Sequence, residues 1–208
     1  MTRIPTQKRS IEKRNKIIEK GFELMCEKGY YNTSTPDIAE SAEVSTGIIY
    51  QYFNDKKDIF IEGIKEYSNS IMFPMINVLE SQKIEINNLD KLLNTMIDKF
   101  IETHTISKKA HEELIAMSHL DSDIATIFKN FEFETTEKIV TLLENNNIHL
   151  ENPMEKVHII INIVDNLCHE IVYHKHTQIN YDIMKTEVIN IIKNFNIEQE
   201  FLVPTLYL

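Results

Sequence analysis

Between Ser45 and Phe60 the chain reads STGIIYQYFNDKKDIF. The hydroxyls of Thr46, Tyr50 and Tyr52 and the amide of Gln51 sit among Ile48, Ile49 and Phe53, and Lys56 and Lys57 follow. These are neutral hydrogen-bonding groups beside a pair of cations, a set suited to holding and reading a polyanion if a helix turns its apolar face inward. A second constellation lies in EKVHIIINIVDNLCHEIVYHKH, where His158, Asn162, Asp165, Asn166, His169, Tyr173 and His176 fall three or four residues apart in an otherwise aliphatic stretch. Polar groups at that spacing in a largely buried helix need partners. Three chemistries compete: hydrogen bonds within the fold or across a dimer seam, the wall of a ligand cavity, or a metal site. Metal ranks last, because no histidine pair stands four apart and His169 and His176 are two turns apart. An enzyme would draw on the same acids and histidines, yet no nucleophile elbow, Gly-rich phosphate loop or metal spacing accompanies them. No catalytic residue, metal ligand or cofactor is therefore expected.

The elements that must position these groups are helical. Only 4 Gly and 5 Pro punctuate 208 residues, and apolar residues recur at three- and four-residue spacing rather than alternating. A first helix is expected from about Ser10 to Lys28, stopped by Gly29. Ser34 caps a second, with Pro36 in its first turn and Asp37 completing a capping box. Only Glu43 and Val44 separate Ala42 from Ser45, which caps a third helix from Thr46 to about Phe53, and two short helices so joined form a helix-turn-helix. A longer helix from Lys56 is kinked or ended by Pro74. Further helices are expected at roughly 88–104, 107–119, 122–145, 153–176 and 181–195. No pattern supports a strand, and Cys26 and Cys168 read as small buried hydrophobes. No apolar run reaches about 18 residues, and MTRIPTQKRSIEKRNK lacks the apolar core of a secretory signal, so a soluble, cytoplasmic protein with no membrane contact is expected.

Charge is unevenly shared. The net formal charge is -10, yet residues 1–57 hold 10 Lys and Arg against 8 Asp and Glu, and the first 20 residues hold 7 against 2. A basic start on an acidic body would orient one end towards a polyanion. A solvated basic tail would give the same count.

Gly29 to Phe60, GYYNTSTPDIAESAEVSTGIIYQYFNDKKDIF, resembles the DNA-binding region of TetR-family transcriptional regulators. Gly29-Tyr30, Ile38-Ala39, Ala42, Val44-Ser45, Gly47, Tyr50, Phe53 and Lys56 stand in family order and spacing. Glu43 replaces the usual turn Gly and is strained if its φ is positive; Ile48 stands where a small or polar residue is common, and there it could meet a thymine methyl. The resemblance implies an all-α chain: an N-terminal three-helix helix-turn-helix domain, residues 1–57, and a larger helical dimerisation and ligand-binding domain, residues 58–208. It implies that Tyr50 and Tyr52 meet phosphates, with Lys56 adding charge. Ser34 and Thr35 would set the second helix near a phosphate, and Ser45 would start a reading helix whose Thr46, Gly47, Ile48 and Gln51 touch base edges. Taken alone, the tyrosines would read as half-buried packing with wet hydroxyls.

By the same resemblance the last two long helices pair with a second copy, Ile183, Val188, Ile191, Ile192 and Phe195 supplying the apolar face. Met96, Phe100, Met117, Phe128 and Phe131 would shape a cavity for a small apolar ligand, and Asn162, Asp165, Asn166 and His169 would orient it. Without the resemblance those residues read as plain core. The implied function is a homodimeric repressor of a palindromic double-stranded DNA operator, released by that ligand. The rival is a protein of the same fold controlled by a protein partner, with no small-molecule inducer. The tail FLVPTLYL is expected to pack on the body or on the second copy.

Overall fold

The computed structural model describes residues 7–81, 84–195 and 198–199; FLVPTLYL lies outside them. The helices are α1 (Lys8–Lys28), α2 (Thr35–Ser41), α3 (Thr46–Tyr52), α4 (Lys56–Glu80), α5 (Leu89–His104), α6 (Lys108–Leu120), α7 (Ser122–Asn145), α8 (Pro153–Val172) and α9 (Tyr181–Lys193). The all-α expectation holds. One short extended pairing occurs among the described residues: β1 (Ile148–His149) runs antiparallel to β2 (Glu198–Gln199). Two residues are too few for a period-two pattern to be visible in the sequence.

One expectation is narrowed and one boundary differs, each for a local reason. Helix α4 runs on through Pro74. Proline removes one helical bond, the one to the Ser70 carbonyl, while Met72, Met75, Ile76 and Leu79 around it stay buried. Helix α8 ends at Val172 rather than near His176, because the amides of both Tyr173 and His174 turn back to the His169 carbonyl. Beyond it HKHT offers nothing apolar to bury.

The chain divides into two compact units, Met1–Ser70 with Ser107–Phe128, and Ile71–Ile106 with Lys129–Leu208. In the first, α1 packs against α2 and α6. Its core comprises Ile17, Ile18 and Met25 from α1, Ile38 from α2, Ile49 from α3, Phe53, and Ile59 and Phe60 from α4. Two glycines permit the close approach of the helices: a Cβ on Gly21 would lie 2.7 Å from Ile59 Cγ2, and one on Gly63 would lie 2.5 Å from the Phe22 ring. The Tyr30 amide donates to Glu113 of α6 at 2.5 Å. Lys57 reaches the carboxylates of both Asp121 and Asp123 at 2.7 Å, tying the start of α4 to the junction of α6 and α7.

In the second unit α5 packs on α8, and α9 on both. Leu92, Leu93, Ile97 and Phe100 of α5 are buried together with Val157, Val164, Leu167 and Cys168 of α8 and Val188, Ile189 and Ile192 of α9.

Candidate functional site

The start of α2 is built as its sequence foretold, whereas Ser45 stands at the N-cap position of α3 without the expected side-chain capping bond. Ser34 accepts the Asp37 amide, and Asp37 in return accepts the Ser34 amide at 2.8 Å and its hydroxyl at 2.5 Å. These bonds hold the exposed Asp37 carboxyl below the usual range. The Val44 amide donates to the Ala39 carbonyl at 2.9 Å, closing the turn. Glu43 sits at φ 56°, the left-handed conformation a glycine would adopt freely; its carboxylate is bound by Lys16 of α1.

With Ile49 and Phe53 buried, α3 turns Gly47, Tyr50 and Gln51 to solvent, one ridge at i, i+3 and i+4. Ser34 and Ser45 are exposed beside it, and Thr35, Thr46, Ile48 and Tyr52 are half-buried. Tyr50 is 55% exposed, so its ring does little packing within the chain. Lys56 stands apart from this ridge in its bonding. Its ammonium donates to the carbonyls of Tyr30 at 2.6 Å and Thr33 at 2.7 Å and lies 4.4 Å from the Tyr30 ring centroid, so it braces the loop entering α2. Burial lowers its pKa.

The basic start is less bare than its count suggests. Arg14 pairs with Glu62 at 2.8 Å, Lys16 with Glu43, and Lys20 with Glu23 at 2.7 Å and Glu19 at 3.2 Å. What the α3 ridge presents is mainly neutral hydrogen-bonding surface rather than bulk positive charge.

The second unit contains a cavity of about 90 Å³ whose lining residues are all Leu, Ile, Val, Met or Phe. Of the nine residues expected at a ligand site, Met96 and Phe100 line it. Met117 is buried in the first unit's core, and Phe128 and Phe131 are half-buried on α7, away from the lining. Asn162 and Asn166 face solvent on α8, and the Asn162 amide donates to the His158 carbonyl. The lining instead draws on aliphatics such as Met75, Leu92, Ile139, Ile161 and Val164. Nothing in their spacing separates a cavity wall from a filled core, so the sequence carried no signal for them.

Asp165 and His169 meet a residue that sequence reasoning passed over. His104, fully buried at the end of α5, sets Nε2 3.2 Å from Asp165 Oδ1, and His169 Nε2 lies 3.5 Å from Asp165 Oδ2. Burial lowers the His169 pKa against the opposing pull of Asp165. The apolar face of α9 also divides. Val188 and Ile192 are buried inside the unit, Ile183 is 60% and Ile191 46% exposed, and Phe195 is half-buried. The two cysteines behave as hydrophobes: burial pushes the Cys26 thiol up to about 12 and raises Cys168 as well.

Residues 17–62 match the family model of bacterial regulatory proteins of the tetR family. The chain is 43% identical over 75 residues to the HTH-type transcriptional regulator HbdR of Aromatoleum sp. (strain CIB), covering 36% of this chain and 28% of that protein. It is 36% identical over 62 residues to IcaR of Staphylococcus aureus, the HTH-type negative transcriptional regulator of the biofilm operon icaADBC, covering 28% and 33%. The matches thus span about a third or less of the length of these curated relatives. A crystal structure from Mesorhizobium loti, assigned to the TetR-family transcriptional regulators, superposes with a TM-score of 0.70 at 18% identity over 91% of this chain and 97% of that one. That likeness shows the fold. Among the described residues no helix is long and apolar enough to cross a membrane.

Proposed function

The chain belongs to the TetR family of transcriptional regulators, and from that premise we propose that it is a cytoplasmic repressor that binds a palindromic operator as a homodimer and is released by a small apolar ligand. The observation that carries the reading is the pairing, in one chain, of an exposed α3 ridge with a wholly apolar cavity in a separate unit. Gly47 and Gln51, flanked by Thr46 and Ile48, face the major groove. Tyr50 and Tyr52 hold phosphates on either side, and Ser34, Thr35 and Ser45 seat the ends of α2 and α3. Lys56 contributes by fixing the loop that leads into α2 and adds positive charge behind it.

Residues 1–57 act as the reading head and residues 58–208 as the dimerisation and sensing part. Exposed Ile159 of α8 and Ile183 and Ile191 of α9 supply an apolar face for the second copy. Repression follows the action that IcaR's name gives to that relative. A ligand in the cavity acts by binding the DNA-free arrangement more tightly than the DNA-bound one. The lining contains no polar side chain, so that ligand is apolar over most of its surface.

The test is selection of bound duplexes from a random pool. Enrichment of a two-fold symmetric site whose half-sites lie about 34 to 36 Å apart, or a multiple, is expected. Enrichment of a single asymmetric half-site, or of nothing, would overturn the dimeric operator-binding reading.

A further inference from the structure

The cluster of His104, Asp165 and His169 lies outside both the reading ridge and the cavity lining. One ligating atom from each of the three lies within 4.8 Å of the others. The Nδ1 of His104 is 2.7 Å from the Phe100 carbonyl oxygen. A carbonyl only accepts, so Nδ1 carries the proton, and in the neutral ring the lone pair is on Nε2. That lone pair points at Asp165 Oδ1, 3.2 Å away. Two electron-rich atoms at that distance call for a cation between them: a second proton on the ring, or a metal ion.

We propose that His104, Asp165 and His169 bind one divalent transition-metal ion of the zinc class. Two imidazole nitrogens and one carboxylate oxygen are the donor types such ions select over magnesium or calcium. The spacing fits as well. With metal-ligand bonds of about 2.0 to 2.1 Å in tetrahedral geometry, neighbouring ligand atoms stand roughly 3.3 Å apart. Here the two imidazole nitrogens flank the two oxygens of one carboxylate, His104 Nε2 3.2 Å from Oδ1 and His169 Nε2 3.5 Å from Oδ2. One donor from each residue lies within 4.8 Å of the others, so a small adjustment of the side chains closes the set on one ion. The Nδ1 bond to a backbone carbonyl is the outer support that orients a ligating histidine and fixes its tautomer.

Tyr173 adds to that support, since its hydroxyl donates to the His104 carbonyl. His104 and the His169 Nε2 atom are buried, whereas the Asp165 side chain is 39% exposed, so an ion would enter past Asp165.

The fold explains why the histidine spacing argued against metal. Asp165 and His169 stand four apart on α8, but the third ligand comes from α5, 61 residues earlier. An ion held there joins α5 to α8 one helical turn past Phe100, which lines the cavity. It would therefore stiffen one wall of the ligand site.

The experiment uses the full chain, stripped with a chelator and then freed of it, and titrated with Zn²⁺ by calorimetry against a competing chelator, with Co²⁺ absorption as a reporter of coordination. One equivalent of Zn²⁺ per chain and a Co²⁺ spectrum of tetrahedral type are expected, together with a Zn²⁺-dependent rise in melting temperature that Mg²⁺ does not give. Asp165→Asn and His169→Gln, both at partly exposed positions, should melt as the metal-free wild type does and lose at least a hundred-fold in Zn²⁺ affinity. His174→Gln, at an exposed histidine outside the cluster, should bind as wild type does. If His104→Gln fails to fold, these two ligand variants still decide. Wild type that takes up no stoichiometric Zn²⁺, or Asp165→Asn and His169→Gln that bind it as tightly as wild type, would overturn the proposal and leave a proton shared in a His-Asp-His chain. None of these readouts involves DNA, so the metal site can fail while the repressor reading stands.

Discussion

The two units solve the packing of amphipathic helices in opposite ways. In the first, α1 and α4 approach so closely that Gly63 has a ring edge 2.5 Å from where a Cβ would be, and Gly21 is nearly as crowded. In the second, the helices leave a cavity of about 90 Å³ between them. Protein interiors are normally close-packed, and an apolar void forfeits dispersion contacts. The proposed function gives the contrast a purpose: a head that reads base edges would gain from groups held rigidly in register, and a unit that senses a ligand would need space for it at some cost in stability.

Adding carbon to each unit tests that contrast and should give the largest effect. Gly63→Ala drives a methyl into Phe22 and should destabilise the chain by about 3 kcal/mol, the upper end of ordinary overpacking. Val164→Ile adds a methyl towards the cavity and should change stability by less than about 1 kcal/mol, with stabilisation the expected sign. Urea melts of the two variants check this. Equal destabilisation by both would mean that the second unit is as tightly packed as the first.

The α9 face gives the next effect. Ile183→Glu with Ile191→Glu places charge on the exposed side of the helix, and should yield a folded monomer by sedimentation, with operator affinity reduced at least a hundred-fold. Ile192→Glu should instead unfold the second unit, because Ile192 is buried and lines the cavity; a lone buried carboxylate costs several kcal/mol. A double variant that sediments as a dimer would move the interface elsewhere.

Smaller effects sharpen the reading head itself. Gln51→Ala should cost about 1 to 3 kcal/mol at particular base pairs and little elsewhere, measured by affinity across operator variants. Lys56→Ala should weaken binding to all duplexes alike and also lower the melting temperature, since it removes the brace between Tyr30 and Thr33. A loss of affinity with an unchanged melting temperature would show the brace to be idle. The smallest expected change is Glu43→Gly. Relief of the positive φ is worth about 1 to 2 kcal/mol, offset by greater freedom of the unfolded chain and by loss of an exposed, solvent-screened ion pair. A net gain within about 1 kcal/mol in the denaturation free energy is expected.

The same contrast explains what the sequence made legible. The helix-turn-helix is assembled from neighbours: Ser34 caps with Asp37, Glu43 takes a positive φ in its own turn, and α3, with Ile49 buried, packs on α2, with Ile38 buried. Such contacts leave their mark as local spacing, and the resemblance, by marking Glu43 as standing where a turn Gly is usual, raised the positive φ as a condition that the structure meets. The cavity and the histidine cluster are assembled from segments far apart in the chain. Met117 and Phe100 carry the same kind of apolar periodicity, yet one is core of the first unit and the other a wall of the cavity. His104 drew no notice in the sequence, because the Asp165 it meets comes from α8, 61 residues later. Residue type and helical period fix which face turns inward, while which inward faces leave a gap is decided only by tertiary packing.

The central claim is that occupancy of the apolar cavity sets the affinity of the α3 ridge for DNA, and the most direct measurement is operator release. A small apolar compound that raises the melting temperature of the wild type would be titrated into protein bound to a fluorescent operator, with anisotropy as the readout. The same titration would be run on Ile161→Phe, which fills part of the cavity. Release from the wild type is expected, with operator binding but no release in the filled variant. A compound that binds the wild-type cavity and leaves operator affinity unchanged would contradict that claim.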